Sequence, residues 1–148
     1  MAYTNAISTY RETRVKTASQ GQLIIMLYDE AVKSLDRSLE TLGLNVGGRQ
    51  NPGTIENISK SILKAQEIIT ELTVSLDFEQ GGDIAKNLFS LYTWFNKELL
   101  EANISHDPQR ITSVRNQLNE LRAAWVEIAS KTNAESAGKT VPGVNIAG

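Results

Sequence analysis

The sequence predicts an all-α fold: an antiparallel up-down four-helix bundle with an N-terminal arm and a disordered C-terminal tail. Three observations predict it. Apolar residues recur at spacings of three and four in four separate stretches of about 20 residues, the rhythm of one face of an α-helix. No stretch alternates apolar and polar residues as a half-buried strand does. The stretches are joined by connections of modest length that carry glycine, proline or capping residues, as neighbours in an up-down bundle require. The chain divides on this reading into an arm (1–18), a bundle domain (19–131) and a tail (132–148). A solenoid is disfavoured because the chain has no self-similar period.

The arm is rich in Thr, Ser and Asn, which compete for backbone hydrogen bonds and form helices poorly. Tyr3, Ile7 and Tyr10 nevertheless stand at helical spacing, an apolar edge that would gain by lying in a groove. The spacing alone leaves docking and a frayed end equally open. Ser19 with Gln22 has the form of a capping box and should start the first helix. Its buried face is Ile24, Tyr28, Ala31, Val32, Leu35, Leu39 and Leu42, while Leu23, Met26 and Leu27 lie off that face. The early turns are thus apolar nearly all round, and something beyond the core should cover them.

Glycines and a proline in 43–53 end this helix, and Thr54 is positioned to cap the next. Ile55, Ile58, Ile62, Ala65, Ile69, Leu72 and Leu76 make an unbroken three-four seam. The glycine pair in 77–82 breaks it, and Asp83 is placed to cap the third helix. There Ile84, Leu88, Leu91, Phe95, Leu99 and Ala102 form one stripe, whereas Phe89, Leu100 and Ile104 fall on the other side. A helix apolar on two sides must be covered twice, by the bundle and by something else. Asp107 as N-cap and Pro108 as first helical residue open the fourth helix, whose seam is Ile111, Val114, Leu118, Leu121, Trp125 and Ile128. After Lys131 no stripe is left, and the composition reads as disordered.

The 148 residues suffice for one ordinary core. Fifteen basic against seventeen acidic residues leave no electrostatic footprint for nucleic acid. The absence of cysteine excludes disulfides, a thiol nucleophile and thiolate metal sites. The longest apolar run, Leu23 to Tyr28, is far below the roughly 20 residues needed to span a bilayer, so no membrane insertion is expected. The N-terminus shows no secretory signal pattern.

Nothing converges on chemistry. The sole histidine, His106, sits in the turn before Pro108. A phosphotransfer bundle would want it exposed at mid-helix, and a di-iron bundle would want paired Glu-x-x-His motifs. Glu30, Asp36, Glu67, Glu71, Glu98 and Glu120 fall on polar faces near Lys or Arg, the pattern of solvated surface charge. Gly81-Gly82 lacks the Lys-Ser/Thr of a phosphate loop. No cofactor, no metal and no catalytic residue is therefore expected. What remains is surplus apolar surface: Leu23, Met26 and Leu27 on the first helix, and Phe89, Trp94, Leu100 and Ile104 on the third. Each alone is most simply a core residue. As a set they exceed one stripe per helix and mark a partner surface.

The run Thr17-Ala-Ser-Gln-Gly-Gln-Leu-Ile-Ile-Met-Leu-Tyr-Asp-Glu-Ala resembles the first core helix of the FliS family of flagellin export chaperones. Lys64-Ala-Gln-Glu-Ile-Ile-Thr-Glu-Leu, Leu76-Asp-Phe-Glu-Gln-Gly-Gly-Asp-Ile-Ala, Leu91-Tyr, Leu100-Glu-Ala-Asn and Arg122-Ala-Ala-Trp125 resemble its later blocks in the right order, and Tyr3-Thr-Asn-Ala-Ile-Ser-Thr-Tyr10 its arm. The resemblance spans roughly residues 3 to 130 and is specific as a set. It implies a cytoplasmic, non-enzymatic protein of type III export in flagellum biogenesis. Such a chaperone binds the C-terminal segment of flagellin and prevents premature polymerisation, and other flagellar export or regulatory proteins are candidate partners. It implies a monomer or weak dimer whose arm, through Tyr3, Ile7 and Tyr10, occupies part of the client groove when free. The 43–53 loop and the tail depart from the family pattern, so no role is carried to them. The competing reading is a helical structural subunit whose surplus apolar faces close a homo-oligomer.

Overall fold

The computed structural model describes residues 20–43 and 52–139, with side chains as far as Lys131. Those residues form four helices: α1 (Gln20–Gly43), α2 (Pro52–Val74), α3 (Phe78–Ser105) and α4 (Pro108–Lys139). The expectations for the arm, for most of the 43–53 loop and for the end of the tail lie outside them. Each helix packs on its neighbours in the chain, and α1 closes the ring against α4. Helices α1 and α3 therefore stand on one diagonal and α2 and α4 on the other. The seams of α1 are the most extensive, and those of α3 the least.

The core is a single cluster in which the three-four stripes meet. Ile58, Ile62, Ala65, Ile69 and Leu72 of α2, Phe95, Leu99 and Ala102 of α3, and Ile111, Val114 and Leu118 of α4 are all buried. Ile55 and Ile128, which head and end their stripes, are exposed, because the outermost turns have less bundle beside them. On α1 the buried face is wider than its apolar stripe. Leu23, Leu27, Ser34 and Ser38 are buried as well, on the side of Glu30, whose carboxylate meets Lys64 of α2 at 3.4 Å. Two small serines let α2 approach closely, and Ser38 Oγ donates to Leu35 O at 2.7 Å, which satisfies the buried hydroxyl locally.

The helix ends differ from the sequence expectation in three places. Helix α2 begins at Pro52, suited to the first turn because it lacks an N–H, rather than after a Thr54 cap. Asp77, not Asp83, caps α3: its Oδ1 accepts from the amides of Glu79 and Gln80 at 3.0 Å each. The first turn of α3 is joined to the rest through Gly82 at φ 50 and ψ -125, a conformation that only glycine adopts without strain. Helix α4 runs on to Lys139, so the backbone of 132–139 is helical where a disordered tail was expected. At the other end of α3 the turn matches. His106 takes the left-handed conformation and donates its N–H to Ala102 O at 2.7 Å, and Asp107 Oδ1 caps α4 through the amide of Gln109 at 2.9 Å.

Ion pairs fix the antiparallel register of α1 and α4. Arg115 Nε donates to Asp36 Oδ1 at 2.8 Å, and seven residues further along each helix Arg122 meets Asp29. Arg110 of α4 meets Glu98 of α3 at 2.9 Å.

Candidate functional site

The third helix presents its second apolar side in the open. Phe89, Leu100 and Ile104 are 46%, 53% and 72% exposed. At about 100° per residue they fall within some 60° of one another, on the flank of α3 that faces α2. That direction is fixed by polar contacts between the two helices. Gln66 Nε2 donates to Asn96 O at 3.1 Å, Asn96 Nδ2 to Thr70 Oγ1 at 3.3 Å, and Asn103 Nδ2 to Ser59 Oγ at 3.3 Å.

Helix α2 contributes its own exposed side chains beside this flank, Leu63 and Val74. Between the two helices runs an open groove of about 490 Å³, with Leu63 and Leu100 as apolar walls and Gln66, Glu67, Thr70, Asn96 and Lys97 as polar lining. Amides and hydroxyls fill the seam where aliphatic side chains would otherwise interlock. The surplus apolar groups therefore stay on the outer lips of the groove. At the start of α3, Phe78 reaches edge-on to Phe89, with centroids 6.0 Å apart, and extends the strip to the connection between helices.

The structure divides the residues that the sequence singles out. Leu23 and Leu27 are 2% and 4% exposed, so they close the α1–α2 seam and offer nothing to a partner. They lie off the apolar stripe of α1, but α1 is flanked by two close neighbours and buries more than that stripe. Met26 is half-buried. Trp94 is 38% exposed but lies about 140° from Phe89 around the helix, beside Phe95 at a centroid distance of 5.9 Å. It belongs to the other flank of α3. Tyr3, Ile7 and Tyr10 lie outside the described residues. Ile84, read as the head of the core stripe, is 70% exposed, since it follows the Gly82 kink at the end of the bundle. Leu63, Val74 and Phe78 were missed. Each falls outside the three-four stripes of the sequence, and only the neighbouring helix makes them a set.

Two buried tyrosines were also not anticipated as a pair. Tyr28 of α1 and Tyr92 of α3 share a hydrogen bond between their hydroxyls across the core diagonal. Burial pushes the pKa of Tyr28 up, against hydrogen bonds from Tyr92 and Trp125 that lower it, and burial with the neighbouring Tyr28 pushes that of Tyr92 far up. Both are neutral structural groups at neutral pH. Among the described residues no cluster of His, Asp and Glu could hold a metal ion, and no helix is long and apolar enough to cross a membrane. What the arrangement can do is hold an apolar chain segment along one flank.

The family model described as flagellar protein FliS matches residues 3–132. The flagellar secretion chaperone FliS of Salmonella typhimurium is 36% identical over 123 residues, which cover 82% of this chain and 85% of that protein. Its counterpart in Escherichia coli is 33% identical over 117 residues (78% and 80%), and that of Bacillus subtilis 26% identical over 125 residues (84% and 86%).

Proposed function

This chain belongs to the FliS family of flagellar secretion chaperones, and on that premise we propose that its client is flagellin, held by the C-terminal segment so that it does not polymerise before export. The protein acts in the cytoplasm, by binding and without catalysis. The observation that carries this reading is the exposed strip of Phe89, Leu100 and Ile104 with Leu63 and Val74 beside it, on a bundle whose core is already filled by other residues.

Energetics fit a long, shallow strip. Ordering each residue of an unfolded client costs about 1–2 kcal/mol of backbone entropy, and one fully buried large apolar side chain returns about 1.5–3 kcal/mol. A tight complex thus needs several anchors spread along an extended surface rather than one deep pocket. Phe89, Leu100 and Ile104 are the anchors on α3, and Met26 contributes to a further segment of the same path, whereas Trp94 stands on the opposite flank and is left out of it. Tyr3, Ile7 and Tyr10 belong to the arm that covers part of it when no client is bound.

Calorimetry with a peptide of the flagellin C-terminal segment at micromolar concentration tests the proposal. A saturable one-to-one heat with comigration on gel filtration is expected. Absence of both, together with an obligate oligomer in analytical ultracentrifugation, would replace it with the structural-subunit reading.

A further inference from the structure

A second apolar feature lies away from the α2–α3 strip, at the end of the bundle where α1 starts. Ile24, Leu72, Leu76, Ile84, Leu88 and Trp125 enclose, from all four helices, a half-open cavity of about 170 Å³. Its size and its walls say what it can hold. An apolar cavity of about 150 Å³ suffices to stay dry and take up a benzene molecule.

The hydroxyls on its wall are bonded within the protein. The Tyr92 hydroxyl is bonded to that of Tyr28. Ser75 Oγ donates to Leu72 O at 2.8 Å, and the Asp77 carboxylate accepts the two amides of the first turn of α3. With the Tyr92 and Ser75 hydroxyls bonded within the protein and Asp77 exposed, the apolar interior penalises an occupant that brings an unpaired polar atom. On the wall Gly81 packs closely on Ala85, since a Cβ there would stand 2.8 Å from that of Ala85.

We propose that this cavity is a binding site for one benzene-sized apolar side chain, phenylalanine or leucine in class, presented by the bound client polypeptide. The proposal rests on the chaperone–client reading above for the source of the side chain, and on the cavity alone for its chemistry. A tethered side chain is favoured over a free hydrocarbon because a half-open site covers a small ligand only in part. The free molecule then binds weakly, while a side chain already held nearby by other anchors arrives at high effective concentration.

The test uses the whole protein. In methyl NMR, toluene is titrated to millimolar concentration, and saturable shifts confined to the methyl groups of Ile24, Leu72, Leu76, Ile84 and Leu88 are expected. Two variants fill the space from different sides, Ala85→Leu from within and Leu76→Trp from the rim. Whichever retains the parent melting behaviour should lose the toluene shifts and bind the flagellin C-terminal peptide at least about ten-fold more weakly. Absence of toluene shifts would overturn the cavity as a binding site even if the peptide binds. Shifts with unchanged peptide affinity in the filled variants would overturn its assignment to a client side chain. A parent protein that takes toluene but no peptide would retire both the client and that assignment, leaving an apolar cavity without a polypeptide role.

Discussion

Truncating Phe89 and Leu100 together to alanine isolates the groove from the core. Both are about half exposed in the free protein, at 46% and 53%. Full burial of such a side chain is worth about 1.5–3 kcal/mol, so a client that covers the remaining half gains about 0.8–1.5 kcal/mol from each. The pair should therefore cost about 1.5–3 kcal/mol of binding, or about 10- to 150-fold in Kd. The already buried halves belong to the fold, and their loss lowers unfolding stability by a similar amount. Titration calorimetry with the flagellin C-terminal peptide, at a temperature where denaturant melts show both proteins folded, separates the two effects. Trp94→Ala is the control, since that side chain lies on the opposite flank of the same helix. The reasoning fails if the Phe89/Leu100 variant binds like the parent, or if Trp94→Ala alone accounts for the loss.

Four further outcomes follow from the bundle itself. Tyr28→Phe strands the buried Tyr92 hydroxyl and should destabilise by about 1–3 kcal/mol, while adding Tyr92→Phe should recover part of that, so a double-mutant cycle by urea melts must show strong non-additivity. The two tyrosines stay protonated in the fold above their ordinary pKa of 10.0, whereas the unfolded chain releases those protons. Their contribution to stability is thus complete below pH 10 and falls above it by at most about 1.4 kcal/mol per pH unit for each, a slope that the double Phe variant should lose. Gly82→Ala meets open space but a backbone conformation foreign to alanine, and calorimetric scans should show Tm lowered by an amount matching about 1–3 kcal/mol. Asp36→Arg should cost up to about 1 kcal/mol, and the charge exchange with Arg115→Asp should restore most of it at low salt and show little difference at high salt.

The bundle was legible because an isoleucine or leucine every three or four residues has no other use in water, as Ile58 through Leu72 and Ile111 through Leu118 illustrate. The face of α1 was read too narrowly, since Ser34 and Ser38 look polar in sequence yet are 0% exposed where α2 comes close. Asp77 was passed over as a cap because two glycines downstream read as a break, whereas one of them, Gly82, carries the kink that lets a helical turn precede it. For the candidate site, Phe89, Leu100 and Ile104 were legible as a second side of α3. Their partners Leu63 and Val74, and the hydroxyl pair of Tyr28 and Tyr92, depend on which helices are adjacent and which face each other diagonally. Spacing along one helix contains no information about that.

The unequal seams of the ring set an order in which its parts can open. Helix α1 is gripped from both sides, while α3, though Phe95, Leu99 and Ala102 anchor it in the core, has the thinnest seams, crossed by a few amides, one arginine and the tyrosine bridge. Its amide protons should exchange with deuterium sooner than those of α1, through partial openings that leave the α1–α2–α4 remainder standing. The helix that carries the sticky strip is thus also the one most free to adjust its seat, which suits a handler that must let its cargo go.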